Sequence, residues 1–154
     1  MKCKIQDIRQ EKIFIDDLYF QYIPDEFFRE VYLGPEEEMM SLANSPHYRF
    51  LSLYQEIGKD IWQCYEETDY VKLMKFWGRS DKYNRNKVRK FIKTYNDIKK
   101  NGLKKKINVL ESPMYRQFFS KGYEIYHGHH RASICKALEK RSLVCTVSRL
   151  KNRQ

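Results

Sequence analysis

Gly128-His129-His130-Arg131, followed by Ala132 and Ser133, gathers residue types that grip an anion. Glycine lets a backbone come close to a ligand. Arginine offers a two-pronged fork of donors for phosphate or carboxylate. Two imidazoles and a serine hydroxyl add donors that adapt to a ligand's charge. Upstream, Tyr123-Glu124-Ile125-Tyr126 alternates with the period of a strand, and downstream Ala132 to Leu138 reads as a helix. The run therefore falls on a strand-to-helix turn. The first amides of a helix lack partners within it and sit at the positive end of its dipole, so such a turn attracts anions, phosphate above all. Gly128 to Ser133 form the candidate phosphate cradle, with His129 and His130 as candidate acid–base groups. A zinc reading of His127, His129 and His130 is the weaker one, because neighbours in a strand diverge and no fourth ligand is evident.

The elements that must position this turn follow from periodicity and caps. Lys12 to Leu18 reads as a first strand ending in the acidic pair Asp16-Asp17, and Pro24 to Leu33 as a short helix stopped by Gly34-Pro35. Glu36-Glu37-Glu38 reads as a solvated acidic turn. Ser45-Pro46 is a helix entry, followed by His47. Phe50, Leu51, Tyr54, Ile57, Ile61, Trp62 and Tyr65 then predict one amphipathic helix of about five turns. A second helix starts at Thr68 and presents Val71, Met74 and Trp77 before Gly78; these aromatic residues are expected in the core. A third runs from Asn84 or Arg85 to Lys100, with Val88, Phe91, Ile92, Tyr95 and Ile98 as its apolar stripe and Asn101-Gly102 as its stop. Leu103 to Leu110 predicts a strand, Ser112 to Gly122 a hairpin loop, and Ser142 to Ser148 a last strand.

At 154 residues the chain suits one domain with an adequate core. Charge is segregated: residues 1–70 carry 7 Lys/Arg against 15 Asp/Glu, and residues 71–154 carry 23 against 5. The basic half contains the phosphate turn, so a nucleotide or a nucleic acid is the expected partner. Arg85, Lys87, Arg89, Lys90 and Lys93 would offer a phosphate-tracking helix face. No apolar run approaches the ~20 residues that cross a bilayer, and Met1 to Asp7 lacks the apolar core of a signal peptide, so a cytoplasmic protein is expected with no membrane partner. Cys3, Cys64, Cys135 and Cys145 have no C-x-x-C spacing, which disfavours a zinc knuckle or redox pair. Cys135 and Cys145 are expected as buried thiols.

The strand, Gly128-His129-His130-Arg131 and the following helix resemble the ParB/sulfiredoxin superfamily, over about Asp81 to Val147. The resemblance implies an α+β domain: a small mixed sheet with packed helices, a core strand near 12–18 and the motif-bearing core at about 81–150; the helices at about 24–77 are then an insertion that the superfamily core does not account for. It also implies a nucleotide-binding protein, ATP or CTP with Mg2+, in which Lys106 screens the phosphates. In relatives that phosphorylate a free amino acid, a glutamate precedes the corresponding helix, and the matching position here is Asp81. An ATP-dependent phosphotransferase acting on a small hydroxyl compound is the activity this implies, with Asp81 activating the acceptor. A DNA-binding or nuclease-like module and a non-catalytic adaptor are the alternatives. Two departures stand out. Many relatives place an aspartate where this chain has His127, and no cysteine occupies the turn, which disfavours sulfinic acid reduction.

Overall fold

The computed structural model describes residues 5–20, 26–27, 41–111 and 122–150. They form an α+β fold. Its mixed sheet contains β1 (Ile5–Phe14), β2 (Leu18–Tyr19), β3 (Ile107–Glu111), β4 (Tyr123–His127) and β5 (Ser142–Leu150), in the order β1-β5-β3-β4-β2. β1 runs antiparallel to β5, β3 parallel to β5 and antiparallel to β4, and β2 parallel to β4. Ile13, Ile107, Val109, Ile125, Leu143, Cys145 and Val147 are buried in one cluster, the outcome expected when alternate strand positions share a face. Against them pack Ala132 and Cys135 of α4 (His129–Ala137).

The helices α1 (Pro46–Ile57), α2 (Asp69–Phe76) and α3 (Asp81–Asn101) build a second core around Phe50, Leu51, Val71, Val88 and Phe91. Ile134 and Ala137 of α4 belong to this core. α4 therefore lies between the sheet and the helical layer. That is why Ala132 to Cys135 are all buried in succession, where a surface helix would keep a polar face.

Three helix entries carry a side-chain cap: Ser45 and Thr68 at starts expected from sequence, and Ser80 ahead of the start expected at Asn84 or Arg85. Ser45 Oγ accepts from the Tyr48 amide, Thr68 Oγ1 from Val71 and Ser80 Oγ from Tyr83. Several boundaries differ. The helix expected to continue to Tyr65 ends at Gly58, whose φ of 58° breaks the α geometry, and the chain goes on in 3-10 turns (58–63 and 65–67). Ile61 and Tyr65 stay buried, but Trp62 is 36 % exposed. Trp77, placed on the apolar stripe by periodicity, caps α2 and is 45 % exposed. α3 starts at Asp81, earlier than expected, and carries the buried Asn84 in line with Val88 and Phe91. β3 begins at Ile107, after the lysines, and the expected first strand is a longer β1 followed by a 3-10 turn over Ile15–Asp17. The expected helix over 24–33, apart from the helical Glu26 and Phe27, the turn over 36–38 and the loop over 112–121 lie outside the described residues. Among those described, Cys64, Cys135 and Cys145 are free thiols, and no helix is long and apolar enough to cross a membrane.

Candidate functional site

Gly128 caps α4 with φ 103° and ψ 30°, a conformation that side chains rarely adopt. A Cβ there would sit 3.0 Å from Arg131 Nη2 and 3.1 Å from Ile107 Cγ1. The guanidinium folds back across the glycine, and its Nη1 donates to the carbonyl oxygens of Lys105 at 2.9 Å and Lys106 at 2.7 Å. Arg131 therefore ties the segment entering β3 to the start of α4, and Gly128 has no side chain because that tie passes over it. Burial lowers the arginine's pKa without neutralising it.

The other expected site residues separate. The Ala132 amide donates to the Gly128 carbonyl at 2.8 Å. Ser133 is buried and its Oγ finds no partner among the described residues, so it faces the interior. Lys106 is exposed and its Nζ donates to Gln10 Oε1 on β1. Asp81 is exposed in the first turn of α3, two residues before Tyr83.

His129 and His130 meet a partner that periodicity cannot reveal. His47, in the first turn of α1, stacks on His129 with ring centroids 6.3 Å apart and meets His130 edge-on at 4.6 Å. Two helix N-termini thus converge on three imidazoles. His130 Nε2 is hydrogen-bonded to the Tyr70 hydroxyl at 2.9 Å, and its ring lies edge-on to Phe91 at 4.8 Å. Burial is the main reason these histidines resist protonation. It pushes His129 down to about 4, helped by His127, and His130 down to about 4, helped by His129, Lys87, Lys90 and Arg131. His47 is lowered in the same way by burial and then by the other two rings. All three are neutral at pH 7.

Beside them is a cavity of ≈120 Å³. His47, Tyr70 and His130 line it together with Trp77, Arg79, Tyr83 and Lys87. The Arg79 guanidinium lies 5.1 Å from the Tyr83 ring centre and Lys87 Nζ 5.5 Å from it. Asp81 is not among the lining residues, nor is any other carboxylate. A water occupies about 30 Å³ of liquid, so the cavity admits a phosphate group or part of a ring and leaves the rest of a larger ligand on the surface. Imidazoles, cations and rings beside apolar Leu73 and Met74, with no carboxylate, make a lining that can hold an anion.

His47, Tyr70, Trp77, Arg79 and Tyr83 were not among the residues singled out from sequence as a site, and Lys87 was expected only on a phosphate-tracking helix face. The available signal was small: His47 follows a Ser-Pro helix entry, the same first-turn position that His129 and His130 occupy in α4. Comparison with known proteins finds no matching family model, no matching curated protein and no matching solved structure.

Proposed function

We propose that the protein binds a nucleotide, with one phosphate entering the cavity between His47, His130, Arg79 and Lys87, and with Tyr83 or Trp77 offering a face to the base. The observation that carries this reading is the lining itself. Uncompensated cations, neutral imidazoles and exposed rings converge where the N-termini of α1 and α4 meet. A phosphate needs both charge and donors; a base needs a flat ring beside a cation. The resemblance to ParB/sulfiredoxin proteins supports the same ligand class, ATP or CTP.

Phosphoryl transfer to a small hydroxyl compound is the enzymatic extension to test. Its acceptor-activating group would be Asp81, at the exposed start of α3 two residues before the cavity's Tyr83. The lining does not fit a magnesium site, since hard cations take oxygen ligands and none of the lining side chains is a carboxylate. Among the described residues no three His, Cys, Asp or Glu gather to hold a metal.

Isothermal titration with ATP and CTP tests the binding. Lys87→Gln and Arg79→Gln should each weaken it at least tenfold while leaving thermal unfolding unchanged. Arg131→Ala is a poor probe, because it removes two structural hydrogen bonds along with the charge. Equal affinity in the Lys87 and Arg79 variants would refute the reading. Turnover that survives Asp81→Asn would remove only the proposed acceptor role.

A further inference from the structure

We propose that the outer face of α3 binds single-stranded nucleic acid, clamping it between two aromatic–cation pairs on opposite flanks of the helix. At 100° per residue, Val88, Phe91, Tyr95 and Ile98 define the inward line of α3. Tyr83, Lys87 and Lys90 then fall on one flank, Arg89 on the other, and Lys82 and Lys93 point away from the core between them. The structure furnishes each flank with a ring. Tyr83, 37 % exposed, lies beside Arg79 and Lys87. Trp62, exposed by the break at Gly58, has the Arg89 guanidinium 5.8 Å from its ring centre.

Exposed rings next to cations suit stacked bases joined by phosphates, because every base has a π face and the cation can reach the backbone. Charge complementarity supports this occupant. Among the described residues, Arg79, Lys87, Arg89, Lys90 and Lys93 form no ion pair, whereas Arg9, Arg49, Lys75 and Lys136 do. Arg85 is excluded from the track: it donates to the Tyr65 hydroxyl at 3.3 Å and feels the charges of Glu66 and Asp81. A duplex keeps its bases stacked on one another and cannot lay them on Trp62 and Tyr83. A strand engaging both rings must cross a helix about 10–12 Å wide with its side chains, which linked nucleotides do. Trp62 and Arg89 lie outside the cavity, whereas Tyr83, Arg79 and Lys87 line it, so the Trp62 flank is the part that tests strand binding separately from mononucleotide binding.

The test is fluorescence anisotropy of a labelled oligothymidylate of about 20 nucleotides, longer than the usual single-domain site of about 4–16, against a duplex of equal length. The single strand should bind at least tenfold more tightly at the same salt. Trp62→Ala should weaken it about fivefold or more, as expected for one lost stacking partner; Trp62→Phe should restore most of it, and Arg89→Gln should also weaken it. ATP affinity should be the same in all three variants. Equal binding of duplex and single strand, or single-strand affinity unchanged in both Trp62→Ala and Arg89→Gln, overturns the proposal and leaves nonspecific attraction to lysines. If Trp62→Ala does not fold, Trp62→Phe and Arg89→Gln decide: retained binding in the first with loss in the second supports the clamp, and no change in the second refutes it.

Discussion

The two ends of α4 each open onto a cavity, and they differ in the property that matters for a ligand. The C-terminal end faces the larger space, ≈490 Å³, lined by Asp16, Asp17 and Glu139 together with Lys136, Lys140 and Arg141. Its charges answer one another, as where Lys136 Nζ approaches Asp16 Oδ1 at 3.4 Å. The N-terminal end faces the smaller space, whose lining has cations and no carboxylate. Size favours the first and chemistry the second. A helix dipole reinforces the difference, since its positive end lies with His129 and His130 and its negative end with Lys136. On the reading proposed above, uncompensated charge rather than volume marks the anion site.

The largest effect expected from breaking this asymmetry is at Gly128. Gly128→Ala must adopt φ near 103° and push against Arg131 and Ile107. A strained backbone of this kind costs roughly 1–3 kcal/mol, and displacement of Arg131 from the Lys105 and Lys106 carbonyls adds to it. Thermal unfolding should fall by about 5 °C or more. An unchanged Tm would mean that the glycine is not required by the turn.

Next in size is the contrast between the two ends in binding. Lys87→Gln should cost about 1.4 kcal/mol of ATP affinity, a factor of ten. Lys140→Gln, at the far cavity, should change it less than twofold. Similar losses from both would show that ATP senses only net charge and would abolish the distinction between the ends.

How far the sequence reveals this arrangement depends on the range of the interactions involved. Ser45 and Thr68 announce their helices because a cap acts within three residues, and Gly128 announces its turn through an equally local pattern, whereas Ser80 caps α3 from a stretch that reads as a polar connection. The inward stripe of α3 was legible from its period. What failed were inferences in which tertiary context overrides a local pattern. The 3.6-residue spacing runs through Gly58, yet the α geometry ends there, and Trp62 and Trp77 emerge at the surface although they continue apolar stripes. The candidate site was half legible: the turn at Gly128 to Arg131 could be located, but His47 meets His130, and Tyr70 meets His130, only through packing of α1 and α2 on α4. No spacing rule joins residues so far apart in the chain. Ser133 was misjudged as an exposed donor for a related reason, since α4 is covered on both sides.

Acidification should separate the ends further. His129 and His130 ionise near 4 in the folded chain against about 6.5 unfolded. Above about 6.5 neither state holds these protons. Between 6.5 and 4 the unfolded chain binds them first, so stability falls as pH falls, and below about 4 the loss levels off. Each imidazole should account for about 2 kcal/mol of loss between pH 7 and 5, or roughly 4–8 °C in Tm. His130→Gln should flatten the profile. A bound phosphate favours the protonated imidazoles, so ATP should protect more at pH 5.5 than at 7. Protection that instead declines with acid would place the phosphate away from the histidines.

The smallest effect is expected at the C-terminal end of α4. Lys136 is paired with Asp16, whose carboxylate is almost wholly exposed, so solvent screens the attraction. Lys136→Gln should change stability by less than about 0.5 kcal/mol and leave ATP affinity within twofold. Its ammonium also lies 5.3 Å from the Tyr48 ring centre, which gives the side chain a second hold independent of the carboxylate. Asp16→Asn should therefore cost even less than Lys136→Gln, and a double variant should cost no more than Lys136→Gln alone. A larger loss in the double variant would mean that the mixed charges of this cavity act as a connected network, in which case the far end of α4 would hold itself together by pairing while the near end keeps its cations unpaired for a ligand.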